Sequence, residues 1–249
     1  MAGTVAPNTI TDNLVLYLDA ANNKSYVSGS ASWIDLSKRN LNGTLTNGPT
    51  FNSGIGGNIV FDGTNDYISL SPSGIDMGVY FTIQTWVNIG RFGGGPAWNR
   101  ASIITNSYPY YYNQGFWVAC TSQNSNAGNA ATSGYERFFI SIGTDQYYAT
   151  SPIGSLTNYV GKWVNLAARV SGSTAIKLYI NGTEVSSYAA QSNGPSSISY
   201  NNGPCALGNR NNQVEFTSGS IAQFLMYNAA LSDIEILQNY NTTKTRFGL

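Results

Sequence analysis

Residues 216–240 read FTSGSIAQFLMYNAALSDIEILQNY, an alternating strand that runs directly into a short helix. Successive side chains of a strand point to opposite faces. Ile221, Gln223 and Leu225 fall on one face, and Ala222, Phe224 and Met226 on the other. Both faces are largely apolar, so the strand is expected to be covered on both sides. Ser232 and Glu235 have the spacing of a capping box, in which each side chain satisfies a free backbone amide near the other. A helix is therefore expected over about 231–240.

Outward from this ending, the chain reads as strands. LVLYLD (14–19) is apolar and rich in strand formers. A polar connection follows, marked only by Trp33, Ile34 and Leu36. GNIVFDG (57–63) and DYISL (66–70) flank Thr64-Asn65 and read as a tight hairpin. YFTIQTWVNI (80–89), ASIIT (101–105), GFWVACT (115–121) and RFFISIG (137–143) are further strands. KWVNLAARV (162–170) and AIKLYING (175–182) form a second hairpin, and Asn181-Gly182 turns the chain into Thr183–Val185. ALG (206–208) precedes the closing strand. Strands at this spacing without intervening helices indicate an antiparallel β-sandwich. No repeat or Pro-rich linker divides the chain, so an N-terminal arm (1–12) and one domain (13–249) are expected.

Composition narrows the function. Of 249 residues, 42% are hydrophobic and only 10% charged, with 12 basic and 12 acidic side chains. A nucleic-acid partner would need a basic face that this balance does not provide. The chain has no histidine. That removes His-based acid/base catalysis, the Ser-His-Asp and Cys-His arrangements, and His-ligated zinc. Cys120 and Cys205 are read as a buried free pair rather than a disulfide. The start, MAGTVAPNTITDN, has no charged n-region and no apolar h-region, so no signal peptide is expected. No run reaches membrane-spanning length, so no membrane insertion is expected.

These pieces, in this order, resemble the laminin-G-like, concanavalin A-like jelly-roll superfamily. The carriers are NLVLYLDAANNKSY, SWIDLSKRNLNGTLTNGPTF, NIVFDGTNDYISL, FTIQTWVNI, KWVNLAARVSGSTAIKLYINGTEV and SIAQFLMYNAALSDIEILQNY, spanning about residues 13–242. The resemblance implies an all-β jelly-roll sandwich with a short C-terminal helix. More narrowly, "LYLDAANNKSY", "NGTLTNGPTFNS" and the closing "NYNTTKTRFGL" resemble stand-alone domains of tailed-bacteriophage structural proteins. The superfamily holds both lectins and glycoside hydrolases, so the site must decide the function.

Hydrolases on this scaffold carry a Glu-x-Asp-x-(x)-Glu strand, which is absent. The four glutamates, Glu136, Glu184, Glu215 and Glu235, are far apart in sequence. Glycoside hydrolysis needs two carboxylates roughly 5–9.5 Å apart. Asp233 and Glu235 are close, but the helix N-terminus and its capping box account for both. The chain is therefore expected not to be an enzyme.

Two clusters stand out as binding candidates. Tyr108, Tyr110, Tyr111 and Tyr112, with Trp98 in GGGPAWNR, offer rings to a protein partner or a glycan; the alternative is a loop that packs its own aromatics. Asp62, Asn65 and Asp66 are oxygen donors suited to calcium, which the resemblance places at the sandwich rim; the same residues serve hairpin turns without metal. Trp33, Trp86, Trp117 and Trp163 are read as packing residues.

The function expected from this reading is a bacteriophage virion structural protein, a capsid-decoration or fibre-associated component exposed at the virion surface. It would be made in the host cytoplasm and grip capsid or tail proteins or the host surface, and homo-oligomerisation, for instance as a trimer, is compatible with that role. The alternative is an extracellular carbohydrate-binding adhesin that recognises cell-surface glycans.

Overall fold

The computed structural model describes residues 8–71, 75–91, 100–106, 114–122, 135–172, 175–185, 188–190, 197–200, 205–210 and 215–249. The first strands in chain order are β1 (Leu14–Asp19), β2 (Ser32–Trp33), β3 (Gly43–Thr46), β4 (Thr50–Asn52), β5 (Asn58–Asp62), β6 (Tyr67–Leu70) and β7 (Tyr80–Arg91). Next come β8 (Arg100–Asn106), β9 (Phe116–Thr121), β10 (Arg137–Ile142), β11 (Thr144–Thr150), β12 (Trp163–Ser171) and β13 (Ala175–Ile180). The last are β14 (Thr183–Val185), β15 (Tyr188–Ala190), β16 (Cys205–Leu207) and β17 (Ser218–Tyr227), followed by helix α1 (Asp233–Thr243) and a 3-10 turn at Lys244–Phe247.

The strands form two antiparallel sheets. The eight-stranded sheet runs β14-β13-β12-β7-β17-β5-β4, with β1 also paired to β17. The nine-stranded sheet runs β15-β11-β10-β9-β8-β16-β6-β3-β2. Between them lies one continuous apolar core, which includes Leu16, Leu18, Phe61, Phe81, Ile104, Phe116, Val118, Leu166 and Phe224. Phe81 of one sheet stacks on Phe116 of the other with ring centroids 4.8 Å apart. This is the jelly-roll sandwich expected from the sequence. Among the described residues, no helix is long and apolar enough to cross a membrane.

The closing stretch behaves as its pattern requires, with one change. β17 lies between β7 and, on its other edge, β5 and β1. Its register slips between Ile221 and Gln223, so Ala222 is a bulge residue. The bulge breaks strict alternation. Ile221 therefore joins Phe224 and Met226 in the inter-sheet core, whereas Leu225 and Tyr227 face the other way, under α1. The capping box is present: the Glu235 amide donates to Ser232 Oγ (3.3 Å), and the Ser232 amide donates to Glu235 Oε2 (2.7 Å).

The hairpin expected from 57–63 and 66–70 does not form. β5 pairs with β4 and β17 in the eight-stranded sheet, while β6 pairs with β3 and β16 in the nine-stranded one. The turn chemistry at 62–66 is real, but it makes a corner between sheets. Local sequence specifies a tight turn; which edges the two arms join is decided by distant strands. The 162–170 and 175–182 hairpin does form, from Leu166 opposite Ile180 to Ser171 opposite Ala175. The polar stretch after β1, read as a connection, contains the short strands β2, β3 and β4.

The C-terminal segment covers the outer face of the eight-stranded sheet. Trp86 is buried as expected, yet outside the inter-sheet core. Its ring stacks on Phe247 (3.9 Å) and Tyr240 (5.7 Å), and its indole N–H donates to Thr243 Oγ1 at 2.8 Å. Trp163 packs beside it, 5.2 Å from Phe247. Arg246 ties this cap to the chain's first strand through Asp19 Oδ1 (2.7 Å) and to the carbonyls of Ile55 and Gly57. Gly57 is irreplaceable there: its φ is +136°, and a Cβ would stand 2.4 Å from the Ala20 carbonyl oxygen. Of the N-terminal arm, Asn8 and Ile10 are fastened to α1 through Gln238 and Asn239.

Candidate functional site

The outer face of the nine-stranded sheet has no covering helix among the described residues, and it carries a cluster of aromatic and guanidinium side chains. Along β9, Phe116, Val118 and Cys120 enter the core, so Trp117, Ala119 and Thr121 point outward. The neighbouring β10 turns Arg137, Phe139 and Ser141 the same way, in register with Thr121, Ala119 and Trp117. On β11, Tyr148 stands opposite Ser141. The result is a row of three rings across three strands. Trp117 meets Phe139 edge-on at 5.1 Å, and Phe139 meets Tyr148 at 5.8 Å. Trp117 is 1% exposed, whereas Phe139 and Tyr148 are half-buried and reach the surface.

Three guanidinium groups surround the row. Arg100 lies 5.0 Å from the Trp117 ring centre and 5.6 Å from that of Phe139; Arg210 lies 4.8 Å from Trp117. Both are held by Glu215, whose carboxylate is 3.0 Å from Arg210 and 3.8 Å from Arg100. Glu215 sits at φ +58°, a left-handed conformation uncommon for a residue with a side chain. The indole N–H of Trp117 donates to Ser102 Oγ at 2.8 Å, and Thr217 Oγ1 donates to the Ser102 carbonyl. The indole is thereby locked in place. Arg137 is half-buried; burial is the main cause that lowers its pKa, the nearby Arg100 cation adds to this, and Tyr148 opposes it.

The residues singled out in the sequence have different fates. Trp98, Tyr108, Tyr110, Tyr111 and Tyr112 lie outside the described residues. Their flanking residues, Arg100 and Asn106, are the two ends of β8, the strand beside Trp117. Asp62, Asn65 and Asp66 are brought together at the corner between β5 and β6. Asp62 Oδ1 accepts the amides of Thr64 (2.7 Å) and Asn65 (3.3 Å), and Asp66 Oδ2 accepts the Asp62 amide (2.9 Å). The Thr64 amide holds the Asp62 carboxyl below its ordinary pKa, while burial raises that of Asp66. Calcium takes six to eight oxygens. Here two carboxylate oxygens already serve backbone amides, and the Asn65 carbonyl accepts from Asn47. The described residues contain no group of three or more acidic, Cys or His side chains able to hold a metal. The set fits a turn and is short of oxygens for calcium.

The glutamates are all engaged. Glu136 accepts from Thr157 Oγ1 at 2.6 Å, Glu215 holds the two arginines, and Glu235 caps α1. Glu184 pairs with Lys177 at 2.7 Å, and Lys177 also stands 3.9 Å from Asp233. Distant carboxylates do converge here, beside a cavity of about 320 Å³ between α1 and the β13–β14 edge. Asp233 is bonded to Arg169 (2.6 Å) and Tyr179 (2.8 Å), and the Tyr179 bond is the main cause that lowers its pKa. Cys120 and Cys205 are free and buried, as read from the sequence.

The model of the concanavalin A-like lectin/glucanase superfamily (Laminin_G_3) matches residues 62–237. The chain belongs to that superfamily. A curated relative, mouse Pappalysin-1, is 33% identical over 118 residues, which cover 46% of this chain but only 7% of that much longer protein. Domain 4 of AbnA, an extracellular GH43 arabinanase from Geobacillus stearothermophilus solved with arabinotriose, superposes with a TM-score of 0.61 at 19% identity, covering 92% of this chain and 98% of that one. The botulinum neurotoxin serotype D binding domain superposes with a TM-score of 0.62 at 18% identity, covering 94% of this chain and 52% of that one. At these identities the structural likenesses establish the fold, a lectin-like β-sandwich, and leave the ligand to be argued from the site.

The ring row escaped the sequence reading. RFFISIG was read as a strand, but which parity faced out was open because both carry apolar residues. The available signal was Arg137 and Ser141 sharing parity with Phe139: a polar, aromatic, polar stripe is an outward face. Tyr148 lies on a strand that the sequence reading did not recognise.

Proposed function

We propose that this concanavalin A-like domain is a non-catalytic recognition module that binds glycans on the outer face of its nine-stranded sheet. The observation that carries the reading is the row Trp117–Phe139–Tyr148, in which a buried indole backs the half-buried rings of Phe139 and Tyr148 that reach the surface beside the Arg100 guanidinium. A sugar ring has an apolar face that stacks on an aromatic side chain and hydroxyls that accept from arginine. Fixed rings lose little entropy on binding. The same fold in the AbnA domain was solved with arabinotriose, which favours this ligand class. The non-catalytic part rests on the carboxylates: a glycosidase acid must hold its proton near neutral pH, whereas Asp233 is shifted the other way and the glutamates serve structural bonds.

Trp98 and Tyr111 are proposed to extend the contact, because their segments adjoin the two ends of β8. The setting we propose is the surface of a tailed-phage virion, as a capsid-decoration or fibre-associated component. Its support is the style of the opening and closing segments and the low charge content. A glycan array tests the main reading. Specific binding that Tyr148→Ala and Phe139→Ala each abolish, while the fold is retained, is expected. Binding unchanged by both, or no glycan bound at all, overturns it. Co-sedimentation with assembled particles tests the setting.

A further inference from the structure

We propose that Asn47 is a modification site, where the folded chain loses a side-chain amide by spontaneous deamidation, and that this loss unpins the corner between β5 and β6. The chemistry is favoured where glycine follows asparagine. The glycine backbone nitrogen attacks Cγ of the asparagine side chain, and glycine has no Cβ to obstruct the approach. Such pairs occur at 42–43, 47–48, 181–182, 193–194 and 202–203. The last two lie outside the described residues.

The fold treats the other three differently. Asn181 Oδ1 accepts the Asn165 amide (3.0 Å), its Nδ2 donates to the Tyr159 hydroxyl (3.3 Å), and Gly182 is buried against Leu237 and Tyr240. Asn42 Oδ1 accepts the Asp35 amide (2.9 Å), and Gly43 is a buried residue of β3 held between Trp33 and Leu70. Asn47 and Gly48 are both exposed, just after β3, at φ +66° and +115°. Asn47 Nδ2 donates to the Asn65 carbonyl (3.0 Å), and the Gly48 amide donates no hydrogen bond among the described residues. Breaking that one side-chain bond leaves Asn47 Cγ open to the Gly48 nitrogen.

In the first step the Gly48 nitrogen gives up its proton and bonds to Asn47 Cγ. The Cγ–Nδ2 bond breaks, and Nδ2 leaves as ammonia with that proton. Water then opens the cyclic imide at either carbonyl, giving aspartate or isoaspartate. The product exchanges a donor for an acceptor. A carboxylate now faces the Asn65 carbonyl that the amide had held. Asp66 lies close by, since a Cβ on Gly48 would stand 3.6 Å from Asp66 Oδ1. The reaction also adds one negative charge to a chain whose 12 basic and 12 acidic side chains balance.

The test ages the folded chain in mildly alkaline buffer, beside a sample in denaturant, and follows each asparagine by peptide mass spectrometry. In the folded chain Asn47 should convert at least about fivefold faster than Asn42 or Asn181, the rate factor of one further hydrogen bond held by the fold. In denaturant the three rates should converge. Asn47→Asp, which installs the aspartate product directly, should lower Tm by about 2–4 °C, the loss of one hydrogen bond in a chain of this size. Asn42 or Asn181 converting as fast as Asn47 overturns the site. So does Asn47 persisting in the folded chain while it converts in denaturant. An Asn47→Asp melt at or above the wild-type Tm overturns the effect on the corner. Neither readout depends on glycan binding.

Discussion

Asn239→Ala should destabilise the domain out of proportion to the few atoms removed. Asn239 is 3% exposed, on the face of α1 that meets the eight-stranded sheet. Its Oδ1 accepts the Ile10 amide (2.8 Å), and its Nδ2 donates to Gln84 Oε1 (3.1 Å) and to the Tyr227 hydroxyl (3.0 Å). Gln84, 1% exposed, in turn donates to Asn165 Oδ1 and to the Ile236 carbonyl. Alanine strands the buried Gln84 oxygen and the half-buried Ile10 amide. A buried polar group left without a partner costs about 1–3 kcal/mol, so the two together come to about 3 kcal/mol, the Ile10 amide contributing less because water can reach it. In a domain of this size that corresponds to a fall in Tm of about 6–12 °C. Differential scanning calorimetry of wild type, Asn239→Ala, Gln84→Ala and the double variant reads both the loss and the coupling. Because the two side chains share one network, the double variant should lose about 1 kcal/mol less than the sum of the singles. A single-variant fall of under about 2 °C, or strict additivity, would refute the claim that this network holds the helix to the sheet.

The corner at Asp62 and Asp66 should behave as a turn. The folded pKa of Asp62 is lowered, so its contribution to stability is present above the unfolded value and lost as pH falls through the folded one; Asp66 is raised, so its contribution favours the fold at low pH and is lost as pH rises through its folded pKa. Carboxyl-carbon NMR titration should therefore find Asp62 below and Asp66 above the ordinary aspartate value. Asp66→Asn keeps an acceptor for the Asp62 amide and removes a like charge, so its Tm at neutral pH should not fall. Neither calcium nor a chelator should shift the melt; a calcium-dependent rise that Asp66→Asn abolishes would make the corner a metal site. Burial pushes the thiols of Cys120 and Cys205 far up, so the native chain should resist a disulfide reagent and release both thiols only in denaturant. Rapid reaction of either thiol in native buffer would contradict their placement in the core.

Much of the fold was legible because its signals are local. The Ser232–Glu235 capping box, the turn at Asn181-Gly182 and the 162–180 hairpin each depend on residues that touch their sequence neighbours. Phe81, Ile83 and Val87 share one parity of β7, and all three enter the inter-sheet core. What covers Gln84 and Trp86 on the other parity was not legible, because that cover is a segment more than 140 residues later. The Asp62–Asp66 turn was readable as a turn, yet not as a corner, since each arm is bound between an early strand and a far later one, in different sheets. The aromatic candidates Trp98 and Tyr108–Tyr112 were chosen for composition alone. The row Trp117–Phe139–Tyr148 could not be found that way, because it exists only once three strands are laid side by side in register.

The sequence by itself determined an all-β sandwich sealed by a capped helix, with no histidine chemistry; these outcomes follow from periodicity, capping and residue inventory, which act over one turn or one strand, whereas the concanavalin A-like type is implied by the resemblance of its ordered segments. Tertiary structure alone decided which parity of each strand enters the inter-sheet core, which edges pair, and where the cations gather. Arg100, Arg137, Arg210 and Glu215 are scattered over more than 100 residues and become one face only through sheet registry. Registry is set by burying the opposite faces of β8, β9 and β10 in the core, so the recognition surface is fixed by packing beneath it.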